Sequence, residues 1–341
     1  MNSRIDERAI MSDTIRWGII GTGFIAHQFA RDLAVLDDAR LVAVASRTKE
    51  SADKFGEEFG VEHRHVGAEQ LAGNENVDVV YVATPNTLHK DNTISCLNGG
   101  KAVLCEKPFC INASQAAEMV EHAREKGLFL MEAMWTHCFP AMGKVREIIS
   151  SGAIGEVRQV HSNFSFRCKW EPDGLLLNPA LGGGSLLDVG VYNIALAQMV
   201  YQREPARISG MAHLGETGVD EQSSVIFGYD NGALAILTSA IRTETSQEAA
   251  IYGTEGYIKI PHAFWKPERI IVKTSQDEER EFKFDVVGIG YSYEAAEVMK
   301  CLHKGRLESR ILSLDTSIAI MRTMDIIREQ WGLVYPMEKG E

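Results

Sequence analysis

Short apolar runs alternate with stretches of helical periodicity along the first 135 residues of the chain. The apolar runs predict strands at 15–20, 40–46, 77–83, 101–105 and 128–132, with a shorter strand near 63–66. The stretches between them predict helices at 25–36, 49–59, 89–98 and 112–126. Strands that alternate with helices through short connections are typical of a parallel, doubly wound α/β sheet.

The pattern changes after Met134, where most strands alternate polar and apolar residues. Strands are predicted at 156–166, 206–213, 223–229, 233–241, 247–253, 256–260, 269–274 and 280–285. Helices are predicted at 141–151, 185–201, 291–304 and 313–331. We therefore expect an α+β second half built on a large, mostly antiparallel sheet with one open face. Such a face is most simply buried against a second copy, which predicts a homodimer or a higher homo-oligomer.

Length and composition indicate an ordinary globular protein with two domains. The 341 residues are 45% hydrophobic and 24% charged, and they exceed the usual size of one compact core. We expect a flexible extension at 1–12, a dinucleotide-binding domain at 13–135 and a substrate-binding and dimerisation domain at 136–341. The formal net charge of −12 argues against nucleic acid and anionic membranes as partners.

The targeting and cysteine patterns favour a cytoplasmic protein. The charged start of the chain lacks the apolar core of a signal peptide, and no apolar run approaches the length of a membrane span. The six cysteines show no C-x-x-C pair and no clustering with histidine, so we expect reduced, buried thiols and no metal. They are Cys96, Cys105, Cys110, Cys138, Cys168 and Cys301.

A predicted strand that breaks into a Gly-x-Gly-x-x-Ala turn is the strongest functional signal in the chain. Gly21 permits the tight turn, Gly23 lets the backbone approach a pyrophosphate, and Ala26 lets the following helix pack closely on the strand. The helix then directs its free N–H groups at the phosphates. Glycine that merely turns the chain is the alternative. The flanking strand and helix favour a dinucleotide, and hence a Rossmann fold.

The end of the second strand bears on which dinucleotide is bound. No carboxylate follows this strand, whereas an acidic residue there would bind the ribose hydroxyl of NAD and repel a 2′-phosphate. Ser46, Arg47 and Thr48 instead offer two hydroxyl groups and a guanidinium, which suit a phosphate dianion. A solvated surface arginine is the alternative. The sequence therefore favours NADP, with NAD possible.

Two further segments follow predicted strands of the same sheet. The first runs from Thr84 through Pro85 and Asn86 to His89, and the second contains Glu106 and Lys107. Because ligands bind outside the carboxyl ends of strands in open parallel sheets, both segments are expected at the cofactor site. The alternative for the second segment is a glutamate–lysine pair on the surface.

Asp188 and Tyr192 lie four residues apart in the apolar helix predicted at 185–201. That spacing places their side chains on one face, where a partly buried carboxylate and phenol are suited to acid–base chemistry. Ser185 and Asp188 also have the spacing of a helix-capping box, and Tyr192 fits a core position equally well. On the spacing alone, both interpretations stay open.

These motifs occur in the order found in the glucose–fructose oxidoreductase / inositol dehydrogenase family, which the chain resembles over residues 14–331. The Glu106-Lys107-Pro108 element is the most specific of them. Met131–Trp135 and Tyr192 resemble the dimeric dihydrodiol dehydrogenase branch, which includes NADP-dependent D-xylose dehydrogenases. The expected cofactor-binding residues are Gly21, Thr22, Gly23, Phe24, Ile25, Ser46, Arg47, Thr84, Pro85, Asn86, His89, Glu106 and Lys107.

The resemblance implies hydride transfer between NADP and a sugar or cyclic diol carbon, with an aldopyranose or a trans-dihydrodiol as substrate. Tyr192 is then the acid–base group, Lys107 lowers its pKa and donates to the substrate, and Asp188 orients the site. Trp135 and Phe164 are expected at the substrate-facing wall. The alternatives are a keto-sugar reductase of the same family and a catalytically silent NADP-binding sensor, against which intact Lys107 and Tyr192 argue.

Overall fold

The computed structural model describes residues 14–339, so the extension predicted at 1–12 lies outside the described residues. The first half forms a six-stranded parallel sheet of strand order β3-β2-β1-β4-β5-β6. Its strands are β1 (Ile15–Ile20), β2 (Ala39–Ser46), β3 (His63–Val66), β4 (Val79–Val82), β5 (Ala102–Glu106) and β6 (Leu130–Ala133). This order confirms the doubly wound sheet that the sequence predicts.

The helices of this half pack against the sheet through apolar positions such as Phe29, which stacks on Tyr81 of β4 with ring centroids 3.8 Å apart. Four of the helices are predicted from periodicity, whereas the one at Ala68–Ala72 is missed because five residues are too few to show a period. The helices are α1 (Phe24–Leu33), α2 (Lys49–Phe59), α3 (Ala68–Ala72), α4 (His89–Asn98) and α5 (Ala113–Lys126).

The second half is built on an eight-stranded sheet of order β14-β13-β12-β11-β7-β10-β9-β8. All of its neighbouring pairs are antiparallel except β7 and β10, which confirms a mostly antiparallel sheet. The strands are β7 (Val157–Ser165), β8 (Arg207–Leu214), β9 (Asp220–Gly228), β10 (Leu234–Ala240), β11 (Ala249–Gly253), β12 (Gly256–Ile260), β13 (Arg269–Thr274) and β14 (Arg280–Lys283).

Four helices complete this half: α6 (Pro140–Ser150), α7 (Val191–Tyr201), α8 (Tyr291–His303) and α9 (Leu314–Trp331). α7 packs on β7 and β10, whereas α8 and α9 return to the first half and pack on α1 and α5. The predicted helix at 185–201 is not uniform, since a π-helical turn at Leu186–Gly190 precedes α7. The opposite face of the sheet exposes Met211, Ile226 and Ile236.

One segment, Pro179–Tyr201, is long and apolar enough to cross a membrane by length and composition. The sequence-based expectation that no run approaches that length is therefore wrong. The segment is 83% buried inside the protein, because α7 is the central helix that covers the inner face of the second sheet. Its apolar character is thus that of a core helix.

Candidate active site

A cavity of about 590 Å³ lies at the carboxyl ends of β1, β4, β5 and β6, where the first sheet faces α7. Thirteen of the sequence-predicted site residues line it, whereas Gly21, Thr22, Ser46 and Arg47 do not. The thirteen are Gly23, Phe24, Ile25, Thr84, Pro85, Asn86, His89, Glu106, Lys107, Trp135, Phe164, Asp188 and Tyr192. Residues that lie far apart in the chain thus share one cavity.

The turn after β1 has the geometry that a pyrophosphate needs. Gly21 adopts a φ of +109°, and a Cβ there would lie 2.3 Å from the carbonyl oxygen of Ala83. A Cβ at Gly23 would meet nothing within 4 Å, and no side chain caps the start of α1. The first N–H groups of the helix therefore face open space, while Phe24 is 75% exposed beside them. A dinucleotide phosphate fits this cradle.

The end of β2 lies beside this turn. The Thr22 and Ser46 hydroxyl oxygens are 3.1 Å apart, which joins the ends of β1 and β2. The Arg47 side chain is exposed. Thr48 caps α2 by accepting a hydrogen bond from the N–H of Ser51, so its hydroxyl is already engaged. Ser46 and Arg47 therefore remain the groups available to an adenosine ribose or its phosphate.

The loop after β4 is held in place by its own polar side chains. Asn86 donates its amide to the carbonyl of Gly182 (3.0 Å), which ties this loop to the turn before α7. His89 is fully buried, with Nδ1 2.8 Å from the Pro108 carbonyl and Nε2 2.9 Å from the Thr84 carbonyl. Burial lowers the pKa of His89. Because both ring nitrogens face backbone carbonyls, His89 anchors the loop and has no free nitrogen for a cofactor.

Glu106 is buried at the end of β5, so the alternative of a surface ion pair is wrong. Its carboxylate accepts hydrogen bonds from the Tyr81 hydroxyl and from the backbone N–H of Lys107 (3.0 Å). Burial raises the pKa of Glu106, and Lys107 opposes this shift. Glu106 thus holds the lysine loop, and its contact with the cofactor stays a prediction.

Lys107 projects from this loop to the π-helical turn. Its ammonium donates to the Asp188 carbonyl (2.8 Å) and lies 3.4 Å from the Asp188 carboxylate. It also lies 5.0 Å from the centroid of the Tyr192 ring. Burial acts to lower the pKa of Lys107, but Tyr192, Asp188 and Glu106 together outweigh it, so that the pKa is raised. Lys107 is thus a fixed cation at the centre of the cavity.

Tyr192 accepts a hydrogen bond at its hydroxyl oxygen from Nε1 of Trp135 (2.9 Å). Burial raises the pKa of Tyr192 to about 12, and Lys107 acts in the opposite direction. Lys107 therefore lowers this pKa in the expected direction, but burial outweighs it, so that the pKa lies above its ordinary value. The sequence shows that a lysine is available, but only the fold determines how much water the phenol loses.

The start of the helix that carries Asp188 and Tyr192 depends on a buried aspartate from the second sheet. Asp220 accepts hydrogen bonds from the Ser185 hydroxyl and the Leu186 N–H, both at 2.7 Å. Ser185 therefore does not cap the helix, and the capping-box alternative for Ser185 and Asp188 is wrong. The π-helical turn that follows carries Asp188 into the cavity beside Tyr192.

Aromatic side chains form most of the remaining wall. Trp135 stacks on Tyr291 with centroids 4.3 Å apart, and Phe164 stacks on Trp265 at 5.0 Å. Sequence analysis missed ten lining residues, which are Gln28, Ala83, Phe166, Leu175, Leu181, Val189, Trp265, Lys266, Ile289 and Tyr291. Some of them, such as Ala83 and Val189, adjoin predicted site residues in the chain, so the motifs could have indicated them. Trp265 and Lys266 come from a distant loop that carries no spacing signal.

The six cysteines are unpaired. Within residues 14–339, no group of three or more histidine, cysteine, aspartate or glutamate side chains is arranged to hold a metal ion.

Comparison with known proteins agrees with this geometry. An oxidoreductase family with an NAD-binding Rossmann fold matches residues 15–134, and the GFO/IDH/MocA C-terminal domain matches residues 142–259. Trans-1,2-dihydrobenzene-1,2-diol dehydrogenase of Xenopus laevis is 38% identical over 334 residues, which cover 94% of this chain and 99% of the relative. The Mus musculus enzyme of that name is 36% identical, with 95% and 99% covered.

Solved structures show the same fold. A 3-ketoreductase from Actinomadura kijaniata in complex with NADP and TDP-benzene has a TM-score of 0.81 at 26% identity, with 93% of this chain and 97% of that chain covered. Aldose-aldose oxidoreductase from Caulobacter crescentus superposes with a TM-score of 0.86 at 24% identity, with 94% and 98% covered. The chain therefore belongs to the GFO/IDH/MocA oxidoreductase family, as its sequence motifs predict.

Proposed function

We propose that this protein is an NADP-dependent dehydrogenase that oxidises a CH–OH group of a cyclic diol or sugar. The observation that carries the proposal is the convergence of Lys107, Asp188 and Tyr192 beside the phosphate-binding turn. A bound oxidised nicotinamide supplies the hydride acceptor. The protein has to supply a base for the hydroxyl proton and a donor that holds the substrate oxygen.

Tyr192 takes this proton in its phenolate form, at the phenolate oxygen. Trp135 already donates a hydrogen bond to that oxygen, and a donor in this position favours the phenolate over the phenol. The Lys107 ammonium acts in the same direction and lies where it can also donate to the substrate oxygen. Asp188 holds Lys107 through its backbone carbonyl and carboxylate, so that the ammonium keeps its place.

The wall of the cavity favours a diol on an apolar ring over a polyhydroxylated sugar. Lys107, Asp188 and Tyr192 are close together, whereas the stacked pairs Trp135–Tyr291 and Phe164–Trp265 supply an aromatic, mainly apolar part of the wall. A hydroxyl group turned toward this part of the wall loses its hydrogen bonds to water without replacement. The relatives at 34–38% identity carry the name of a dihydrobenzene diol dehydrogenase, which agrees with this preference.

Three finer expectations belong to the same proposal. Ser46 and exposed Arg47 at the end of β2, with no acidic residue beside them, favour NADP over NAD. Met211, Ile226 and Ile236 on the open face of the second sheet favour a homodimer through that face. Six unpaired cysteines favour the cytoplasm.

The domain boundary near residue 135 also stays a prediction, since α8 and α9 pack across it.

Turnover of a substrate panel tests the proposal directly. Purified protein is mixed with NADP⁺ or NAD⁺ and with aromatic trans-dihydrodiols, cyclohexanediols or aldopyranoses, and the absorbance of the reduced nicotinamide is followed. We expect turnover that is faster with NADP⁺ and with apolar-ring diols. Replacement of Tyr192 by phenylalanine should lower kcat by about 10²-fold or more, the usual range for a general base.

Tyr201→Phe is the matched control, because Tyr201 is a buried tyrosine at the other end of the same helix. It should keep its activity. Turnover of keto-sugars with NADPH alone would instead identify a reductase. Tight NADP binding without turnover in either direction would indicate a sensor and contradict the proposal.

A further inference from the structure

The last described residues of the chain fold back into the protein beneath the catalytic groups. After α9 ends, Tyr335 and the short helical turn Pro336–Glu338 form a segment that we call the C-terminal clasp (Tyr335–Glu338). The Tyr335 side chain is fully buried. Neither the dinucleotide cradle nor the reaction uses these residues, so their burial among polar partners calls for another role.

One end of the clasp holds the turn that leads into the helix carrying Asp188 and Tyr192. The Tyr335 hydroxyl donates a hydrogen bond to the carbonyl of Gly183 (2.7 Å). The next residue, Gly184, adopts a φ of +118°, and a Cβ there would lie 3.3 Å from the Tyr335 oxygen. This turn immediately precedes Ser185 and the π-helical turn that carries Asp188. Tyr335 therefore fixes the point at which the helix carrying Asp188 and Tyr192 begins.

The other end of the clasp holds the loop that follows Lys107. The Glu338 carboxylate accepts a hydrogen bond from the side chain of Asn112 (2.8 Å), which is the residue that caps α5. Arg328 donates to both Glu338 oxygens (2.6 and 2.9 Å) and to the carbonyl of Ile111 (3.2 Å). The five residues between Lys107 and α5 are thus attached to the clasp at their far end.

Arg328 makes the clasp one unit rather than two separate contacts. Its guanidinium is buried, pairs with Glu338 and with Asp325, and lies 5.0 Å from the centroid of the Tyr335 ring. A buried, forked arginine–carboxylate pair loses far more than a surface pair when one partner is removed. Burial acts to raise the pKa of Glu338, but the hydrogen bonds from Arg328 and Asn112 and the charge of Arg328 together outweigh it, so that the pKa is lowered.

We propose that Tyr335 and Glu338 are positioning residues that set the distance between Lys107 and the Asp188–Tyr192 pair. The clasp binds the segment after Lys107 and the segment before Asp188 at once, and the 2.8 Å hydrogen bond from Lys107 to the Asp188 carbonyl lies between these two anchored points. The catalytic role of Lys107 and Tyr192 rests on the function proposed above. The positioning itself rests on the contacts alone.

Tyr335→Phe tests this directly, because it removes one hydroxyl and leaves the ring over Arg328. Tyr201→Phe is the matched control, since its hydroxyl also donates to a backbone carbonyl at 2.7 Å, that of Leu234. We expect kcat to fall by about tenfold in Tyr335→Phe, with the dissociation constant for NADP unchanged. Because Lys107 then supports the Tyr192 phenolate less well, the rise of kcat with pH should move to higher pH.

Glu338→Gln should change kcat and its pH profile in the same direction as Tyr335→Phe. It replaces Tyr335→Phe as the test variant if that protein folds poorly. Equal losses of activity in Tyr335→Phe and Tyr201→Phe, with unaltered pH profiles, would show that the clasp only stabilises the fold. Hydrogen exchange gives a readout that needs no substrate. Amides at 109–113 and 184–192 should lose protection in Tyr335→Phe alone, and unchanged protection there would overturn the proposal even if the enzyme proved to be a sensor.

Discussion

At the scale of single residues, burial decides the chemistry of the charged groups more than sequence neighbours do. Glu106 and Lys107 are adjacent in the chain, yet their side chains turn to different partners, Tyr81 and Asp188. Tyr192 lies beside a cation and still has a raised pKa, because the loss of water outweighs the attraction. The cost of burying a charge is therefore the quantity to test at this scale.

Glu132 in β6 gives the clearest case. It is buried, and burial raises its pKa from 4.5 to about 7, although Ser317 and the backbone of Phe109 act in the opposite direction. Below pH 4.5 the carboxyl group is neutral in the folded and unfolded states alike. As the pH rises from 4.5 to 7, the carboxyl group ionises in the unfolded state but stays neutral in the folded state, so the free energy of unfolding falls by up to roughly 3 kcal/mol and then levels off.

Glu132→Gln should remove this loss. We expect the unfolding free energy of the variant, relative to the parent protein, to rise between pH 4.5 and pH 8 by roughly 3 kcal/mol, as measured by urea denaturation. Glu121→Gln on the exposed face of α5 is the control and should show no such trend. A pH-independent difference for Glu132→Gln would mean that the carboxylate is better solvated than the fold implies.

At the scale of elements, the two halves of the protein are joined through helix ends. Asp32 of α1 is buried and accepts hydrogen bonds from the N–H groups of Gly290 and Tyr291 (both 2.8 Å) at the start of α8. A carboxylate at this position satisfies N–H groups that have no partner within the helix and is favoured by the helix dipole. The same contact places Tyr291 against Trp135, which in turn bonds Tyr192.

Asp32→Asn should therefore weaken both stability and catalysis. The amide keeps the shape of the side chain but loses the negative charge, and we expect the free energy of unfolding to fall by about 1–3 kcal/mol. The KM for an apolar-ring diol should rise more than the KM for NADP⁺, since Tyr291 lies in the cavity wall. Asp37→Asn, on the exposed loop after α1, is the control. Unchanged stability in Asp32→Asn would contradict the role of this cap.

At the scale of the whole molecule, the open face of the second sheet exposes apolar side chains. Ile226 of β9 lies directly opposite Ile236 of β10 in register, and both are exposed, as is Met211, which is 83% accessible. Neighbouring positions on this face, such as Ser224 and Thr238, are polar. An apolar centre with polar neighbours is typical of a contact between copies.

Ile226→Asp should convert the proposed dimer into a monomer, because two or more carboxylates would face each other across a two-fold interface. Analytical ultracentrifugation of the parent protein and the variant measures the molecular mass in solution, which distinguishes a dimer from a monomer. Val35→Asp, which replaces an equally exposed apolar residue far from the sheet, should leave the mass unchanged. A parent protein that sediments as a monomer would contradict the proposed interface.

The sequence by itself determined what depends on residues close together in the chain. The pattern of apolar runs and helical stretches was enough to predict one parallel and one mostly antiparallel sheet, because periodicity is a local property of strands and helices. The turn at Gly21 could also be predicted from the sequence, because a tight turn restricts the residue types that can form it. Lys107 and Tyr192 could be identified as candidate active-site residues for the same reason, because each lies in a motif that is only a few residues long.

Only the tertiary structure decided what depends on residues brought together from distant segments. Trp265 reaches the cavity from a loop and Tyr291 from the start of α8, and the Gly183 carbonyl that Tyr335 contacts lies 152 residues earlier in the chain. The same is true of the pKa of Tyr192, which follows from how completely its neighbours exclude water. Burial and long-range contact are properties of the packed chain, and for that reason no local pattern of residues records them.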